Sequence, residues 1–137
     1  YPVFSYYANY YSYFLHLKSY IKYQEYFGPD IPVLYKTADY LKSNTSPNDK
    51  IFVWGDQPFI YALSNRLPVG KYTVAYHVID FDQHAPIYSK LTAELPKYIV
   101  DYDSSFRPYP DLQRLISLYY YPDNQIGKAT LYRLRHE

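Results

Sequence analysis

The densest group of side chains able to bind a metal lies in the sequence HVIDFDQH, which contains His77, Asp80, Asp82 and His84. Imidazole and carboxylate groups together suit a divalent cation. Their spacing matches no zinc-hydrolase motif, however, and a solvated loop has the same composition. These four residues are the metal-ligand candidates, whereas the sequence as a whole predicts no metal site and no cofactor in this chain.

A second group of polar side chains follows the predicted strands. Ligands of open α/β sheets usually bind beyond the carboxyl ends of the parallel strands. The polar residues at these ends are Asp56 and Gln57, Asp80 and Asp82, and Asp101 and Asp103. With Trp54, Tyr61 or Tyr102 as a stacking surface, this rim would suit a hydroxyl-rich or cationic ligand. The alternative is structural, because Asp commonly caps the turn or helix that follows a strand.

Arg66 follows a short predicted helix and has two interpretations. Its guanidinium group can bind a phosphate or carboxylate of a ligand. An arginine near a helix C-terminus can instead bind the last backbone carbonyls of that helix. Trp54 lies within a continuous apolar run and is predicted to be part of the core.

Several catalytic motifs are absent. After the first predicted strand the chain has GDQP in place of G-x-G-x-x-G, and it contains neither a phosphate-binding P-loop nor a G-x-S-x-G nucleophile elbow. With no cysteine, thiol catalysis and cysteine-based metal sites are excluded. The sequence therefore predicts no catalytic residue.

The elements that would position these residues alternate between strands and helices. The apolar run Ile51–Gly55 predicts a strand covered on both faces. The other predicted strands are Lys71–Val78, Lys97–Tyr102, Tyr120–Ile126 and Ala129–Leu134, and the predicted helices are Ile31–Asn44, Pro58–Ser64, His84–Leu95 and Asp111–Tyr119. This alternation predicts an α/β fold with three layers and a mainly parallel sheet, whose C-terminal edge strand or strands are antiparallel.

An aromatic segment precedes this body. From Phe4 to Phe27 there is no proline or glycine, which favours a helix. Small or polar residues draw one narrow stripe along it, at Ser5, Asn9, Ser12, His16 and Ser19. The rest of the circumference is aromatic and aliphatic, so the segment either packs on the body or marks an exit from a membrane. We accordingly divide the chain into a lead-in helix of residues 1–28, resembling a juxtamembrane segment, and an α/β soluble domain of residues 29–137.

Composition sets further bounds. A net charge of +1 over 137 residues gives no electrostatic signature of nucleic-acid binding. The 22 tyrosines favour contact with a surface that is apolar on one side and wet on the other, such as a protein groove, a carbohydrate or a bilayer. A coding bias from an AT-rich genome is the alternative source of this composition.

Four segments together resemble a known family. The order is VWG, then IYALSNRLP, then LPKYIVDY and finally IGKATLYRLR. Over residues 32–135 this pattern resembles the C-terminal soluble domain of polytopic GT-C glycosyltransferases, the group similar to dolichyl-phosphate-mannose protein mannosyltransferases and their bacterial relatives. The matched residues Trp54, Gly55, Tyr61, Arg66 and Pro68 are expected to be architectural.

The resemblance implies a non-catalytic accessory domain on the extracytoplasmic face of a membrane, in an enzyme that uses polyprenyl-phosphate-linked sugars. The catalytic carboxylate would lie in a membrane region that this chain lacks, and a divalent metal would belong to the parent protein. The expected partners are the parent's own transmembrane region and a glycan, glycolipid or protein acceptor. An independent carbohydrate-binding or solute-binding α/β module is the alternative function.

Overall fold

The computed structural model describes residues 2–82, 85–102 and 105–135. Within these ranges the chain forms a mixed α/β fold built on one sheet. The strands are β1 Ile51–Trp54, β2 Tyr98–Asp101, β3 Tyr120–Ile126 and β4 Ala129–Leu134. The helices are α1 Pro2–Phe14, α2 Tyr20–Glu25, α3 Ile31–Asn44, α4 Phe59–Ser64, α5 Ala75–His77, α6 Ala85–Glu94 and α7 Pro110–Tyr119, with a π-helix at Val78–Asp82.

The four-stranded sheet has the order β1-β2-β4-β3. β1 and β2 are parallel, whereas β4 is antiparallel to both β2 and β3. The predicted antiparallel strands at the C-terminal end are therefore present, but β3 rather than β4 lies at the edge. Because only one of these three pairings is parallel, the sheet is mixed, and the expectation of a mainly parallel sheet is not confirmed.

The predicted strand Lys71–Val78 accounts for much of this difference. Residues 67–69, which precede this segment, lie beside β1. The backbone N–H of Ile51 donates to Leu67 O at 3.1 Å, and the N–H of Val69 donates to Ile51 O at 3.2 Å. Gly70 then adopts a positive φ of 81°, a conformation that suits glycine and takes the chain off a strand path. The segment ends in α5 and the π-helix rather than in a second parallel strand.

Each face of the sheet carries a buried cluster. On one face Phe52 and Trp54 pack with side chains of α6 and α7, including Leu91 and Leu112. On the other face Ile51 and Val53 pack with side chains of α3 and α4, including Leu41 and Ile60. All four residues of β1 are buried, which confirms the prediction that this strand is covered on both faces.

The N-terminal segment is two helices instead of the single one predicted. The backbone N–H of Leu17 donates to Ser12 O at 2.9 Å, and His16 takes a left-handed φ of 57°, so α1 ends there. Ser19 caps α2 by accepting from the N–H of Lys22 at 3.3 Å. Nothing in the composition of Leu15–Ser19 marks a break, because it contains neither proline nor glycine.

The polarity of α1 is inverted relative to a helix of a water-soluble domain. Asn9, from the predicted polar stripe, is only 3% exposed and binds across to α2: its Nδ2 donates to Tyr23 O at 3.2 Å, and its Oδ1 accepts from Lys18 Nζ at 2.6 Å. The aromatic side of the same helix faces outward, with Phe4 at 74% and Phe14 at 62% exposure. Stacked and edge-on aromatic rings also join α1 to the α2 region, and the other apolar side chains of α1 cover the outside.

Candidate functional site

Asp56 lies just beyond the end of β1 and is engaged by two neighbouring segments. Its carboxylate forms an ion pair with the guanidinium group of Arg107, and its Oδ1 accepts from the backbone N–H of Tyr76 at 3.3 Å. The carbonyl of Gln57, the next residue, accepts from the N–H of Ile60 at 3.2 Å in the turn that starts α4. Both residues therefore contribute to loop structure at the carboxyl edge of the sheet.

Asp101 ends β2 directly beside Trp54 in the strand register. It is 7% exposed, and its Oδ2 accepts from Gln113 Nε2 of α7 at 3.1 Å. Its negative charge, together with burial as the larger cause, raises the pKa of the Tyr132 hydroxyl. Asp103, the other acidic residue predicted at this end, lies outside the described residues. The acidic rim thus brings Asp56 and Asp101 to one edge with both carboxylates bound to protein side chains.

Tyr61 does not present its ring as a stacking surface, since it is 6% exposed. Its hydroxyl oxygen accepts from the backbone N–H of Val53 at 2.8 Å. Burial raises the pKa of this hydroxyl, and the hydrogen bond from Val53 opposes the shift in part. β1 lies at the edge of the sheet, where no strand of the described ranges pairs with Val53 on that side, and the tyrosine supplies the acceptor that a strand would have supplied.

Arg66 is 6% exposed and is surrounded by acceptors from two helix ends. At the end of α3 its guanidinium group donates to Lys42 O at 3.2 Å, Thr45 O at 2.7 Å and Thr45 Oγ1 at 2.7 Å. At the end of α4 it donates to Ser64 O and Asn65 O, each at 3.0 Å. This geometry agrees with the structural alternative, in which the arginine binds terminal helix carbonyls.

The metal-ligand candidates are not brought together as a cation site. His77 lies among aromatic rings, with its centroid 4.3 Å from that of Tyr76 and 5.6 Å from that of Phe81. Asp80 is exposed on the π-helix. His84 lies outside the described residues, as does the side chain of Asp82. Among the side chains that can be placed, no three histidine or acidic groups meet in a way that would hold a metal ion.

Two features of the structure were not indicated by any pattern in the sequence. Asp123 on β3 accepts from the hydroxyls of Tyr40 on α3, at 2.7 Å, and Tyr98 on β2, at 2.6 Å, which joins three elements. Burial, followed by this carboxylate, raises the pKa of the Tyr98 hydroxyl. The second feature is a cleft of about 340 Å³ where α2, α3 and α4 meet. Tyr20, Phe27, Tyr35 and Phe59 are among its lining residues.

Comparison with known proteins gives no family. No protein-family model matches this chain, and neither the curated proteins nor the solved structures gave a match.

Proposed function

We propose that this chain is a non-catalytic accessory domain of a membrane glycosyltransferase that uses polyprenyl-phosphate-linked sugar donors. In this proposal the domain rests against the extracytoplasmic side of the membrane region of its parent protein. The observation that carries the proposal is the inverted polarity of α1, with Asn9 buried against α2 and Phe4 exposed.

The outward-facing apolar side chains of α1 have a lower free energy in apolar surroundings than in water. α1 has no charged residue, and its outward side chains include Phe4, Tyr7, Tyr11 and Phe14, each at least 57% exposed. Burying one large apolar side chain contributes about 1.5–3 kcal/mol, so apolar surroundings that cover several of these side chains are favourable. Within the described ranges, no helix has the length and hydropathy needed to cross a bilayer. Tyrosine-rich segments of this kind suit the boundary between lipid and water.

The roles of the family-like residues support an accessory rather than a catalytic part. Trp54 is fully buried, Tyr61 covers the edge of β1, and Arg66 binds two helix ends. The buried cluster on each face of the sheet is the packing expected of a three-layer domain. Sugar transfer, and any divalent metal that it requires, would then belong to the membrane region of the parent protein, and acceptor binding would be the contribution of this domain.

The parent reading frame provides the first test. We expect many hydrophobic segments upstream of residue 1, and a frame without them would contradict the proposal. The second test compares the complete protein in lipid nanodiscs with the 137-residue chain, using a polyprenyl-phosphate sugar as donor. The complete protein should transfer sugar and the isolated chain should not; transfer by the isolated chain would contradict the non-catalytic role.

A further inference from the structure

We infer that the cleft where α2, α3 and α4 meet is a binding site for a neutral sugar ring. This inference rests on the proposed function for its biological role, since it gives the acceptor contact of the domain a place and a chemical class. The cleft has a volume of about 340 Å³. Small-molecule sites occupy roughly 300–1,000 Å³, so this cleft is large enough for a single small ligand.

Gln24 brings an unused hydrogen-bond donor to the cleft. It lines the cleft from α2 and is 5% exposed, and its Nε2 has no hydrogen-bond partner in the described part of the chain. Native folds seldom leave a buried amide donor without an acceptor, because the unpaired group is destabilising. The last torsion of glutamine has a broad energy minimum, so a small turn can present Nε2 to an oxygen in the cleft. A ligand oxygen would therefore supply the acceptor that the fold does not.

The lining of the cleft selects the charge of its ligand. None of the described residues that line it is charged, so a phosphate, carboxylate or ammonium group would lose water there without gaining an opposite charge. A purely apolar ligand would leave Gln24 Nε2 unpaired. The ligand is therefore neutral and carries at least one oxygen that accepts a hydrogen bond.

Aromatic rings of the cleft supply the remaining contacts of a sugar. The rings of Tyr20 and Tyr35 meet edge to face, with centroids 6.3 Å apart and planes at 74°. Those of Tyr23 and Phe27 meet in the same way, with centroids 5.4 Å apart. The faces of such rings are apolar and slightly negative and attract the C–H groups of a sugar, while tyrosine hydroxyls can donate to and accept from its hydroxyls. A sugar ring thus uses both the apolar and the polar groups of the cleft.

Proton–nitrogen correlation NMR of the 137-residue chain can test this site through the side-chain NH₂ group of Gln24. Its signals are identified as those that disappear in Gln24→Leu. The probes are the methyl glycosides of glucose, galactose, mannose and N-acetylglucosamine. The comparison ligands are glucuronate, which is a charged sugar, and acetophenone, which combines an aromatic ring with one acceptor oxygen.

Three variants separate the cleft from general aromatic contact. Gln24→Leu removes the unpaired donor and keeps an apolar side chain of similar size, so the urea midpoint should not fall. Phe59→Ala removes a ring that lines the cleft and is 61% exposed, so it leaves the core untouched. Phe106→Ala is the matched control, because Phe106 is 76% exposed and does not line the cleft.

We expect at least one methyl glycoside to shift the Gln24 NH₂ signals, with a dissociation constant in the millimolar range. Glucuronate and acetophenone should bind about tenfold more weakly than that glycoside. Gln24→Leu and Phe59→Ala, followed through backbone signals of α2, should each weaken glycoside binding about tenfold, and Phe106→Ala by less than about twofold.

The absence of shifts with every glycoside would overturn the inference. Binding of glucuronate or acetophenone as tight as that of the glycosides would also overturn it, as would an equal loss in Phe106→Ala. Any of these results would leave the proposed function intact, because that function depends on the upstream reading frame and on sugar transfer by the complete protein. Glycoside binding by a chain whose reading frame has no upstream hydrophobic segments would support the cleft and contradict the proposed function.

Discussion

The hydroxyl oxygen of Tyr61 accepts a hydrogen bond from the backbone N–H of Val53 at 2.8 Å and so covers the outer edge of β1. The rest of this edge is covered by backbone groups of the segment 67–75, through Leu67 O and the N–H groups of Val69 and Ala75. One side chain and one irregular segment therefore satisfy the backbone groups at this edge that a fifth strand would otherwise bind. This tyrosine lies in the segment IYALSNRLP, so that part of the sequence has a structural role.

Replacing Tyr61 with phenylalanine should destabilise the fold without changing its shape. The substitution keeps the ring but leaves the buried N–H of Val53 without its acceptor, which costs about 1–3 kcal/mol. Urea denaturation at neutral pH would measure this loss. Tyr121→Phe, at an exposed tyrosine of β3, is the control and should change the free energy of unfolding by less than about 0.5 kcal/mol. Equal effects of the two substitutions would argue against the edge role of Tyr61.

Stability should also fall at alkaline pH because of the same hydroxyl. Burial raises the pKa of Tyr61 above its ordinary value, so the folded protein holds this proton where the unfolded chain releases it. The contribution of this hydroxyl to the free energy of unfolding is complete below the pKa of tyrosine in the unfolded chain, which is about 10. Above that pH it decreases by about 1.4 kcal/mol per pH unit.

The same urea titrations, repeated from about pH 8 to about pH 11.5, would measure this slope. Tyr61→Phe should show a shallower decline than the unsubstituted chain, since phenylalanine cannot ionise. Part of the loss of stability should remain in the variant, because the pKa values of the Tyr98 and Tyr120 hydroxyls are also raised. Identical slopes would mean that Tyr61 is not the buried group that titrates.

Arg66→Lys should destabilise the body although it preserves the charge. Lysine cannot reproduce the planar fork that donates to the ends of α3 and α4, so several buried carbonyls lose their donors. We expect the free energy of unfolding to fall by about 2–3 kcal/mol. Arg114→Lys, on an exposed position of α7, should be close to neutral. If Arg66→Lys were equally neutral, the structural role of this arginine would be wrong.

Asn9→Ala should weaken the contact of α1 with α2 while leaving the body folded. The substitution removes the bonds to Tyr23 O and Lys18 Nζ, and a loss near 1.4 kcal/mol would raise the separated population about tenfold. Limited chymotrypsin digestion should then cut within α1 correspondingly faster. The urea midpoint should not move, and Asn48→Ala, at an exposed turn, should digest like the unsubstituted chain. Unchanged digestion of Asn9→Ala would show that Asn9 does not hold the two helices together.

Sequence patterns predicted the elements whose ends carry strong local signals. α3 begins and ends as predicted, at Ile31 and Asn44, because Gly28-Pro29-Asp30 breaks the chain and Pro32 suits a first turn. The bounds of β3 and β4 were also predicted, and the structure places the turn between them at Gly127-Lys128. Helix caps followed less directly from residue type: the carboxylate of Asp30 makes no cap bond at the start of α3 and instead pairs with Lys128, and Tyr109 rather than the acidic Asp111 is at the N-cap of α7.

Local sequence patterns could not predict which distant segments of the chain pair with each other. Lys71–Val78 has the residue types of a strand, but whether it joins the sheet depends on the path set by Gly70 and on Tyr61 already covering β1. The pairing of Asp56 with Arg107 links residues 51 positions apart, and no local spacing indicates it. The polar stripe containing Asn9 was visible in the sequence, whereas the direction in which it faces required the structure.

The order of the strands also has a consequence for synthesis. β2 needs β4 as its inner neighbour, and β4 is the last strand in the chain, so the sheet is incomplete until residue 134 has left the ribosome. α1 and α2 emerge roughly 100 residues earlier, which is about 5–20 s at ordinary elongation rates. For that interval the two aromatic helices are outside the ribosome while the sheet that follows them is still incomplete.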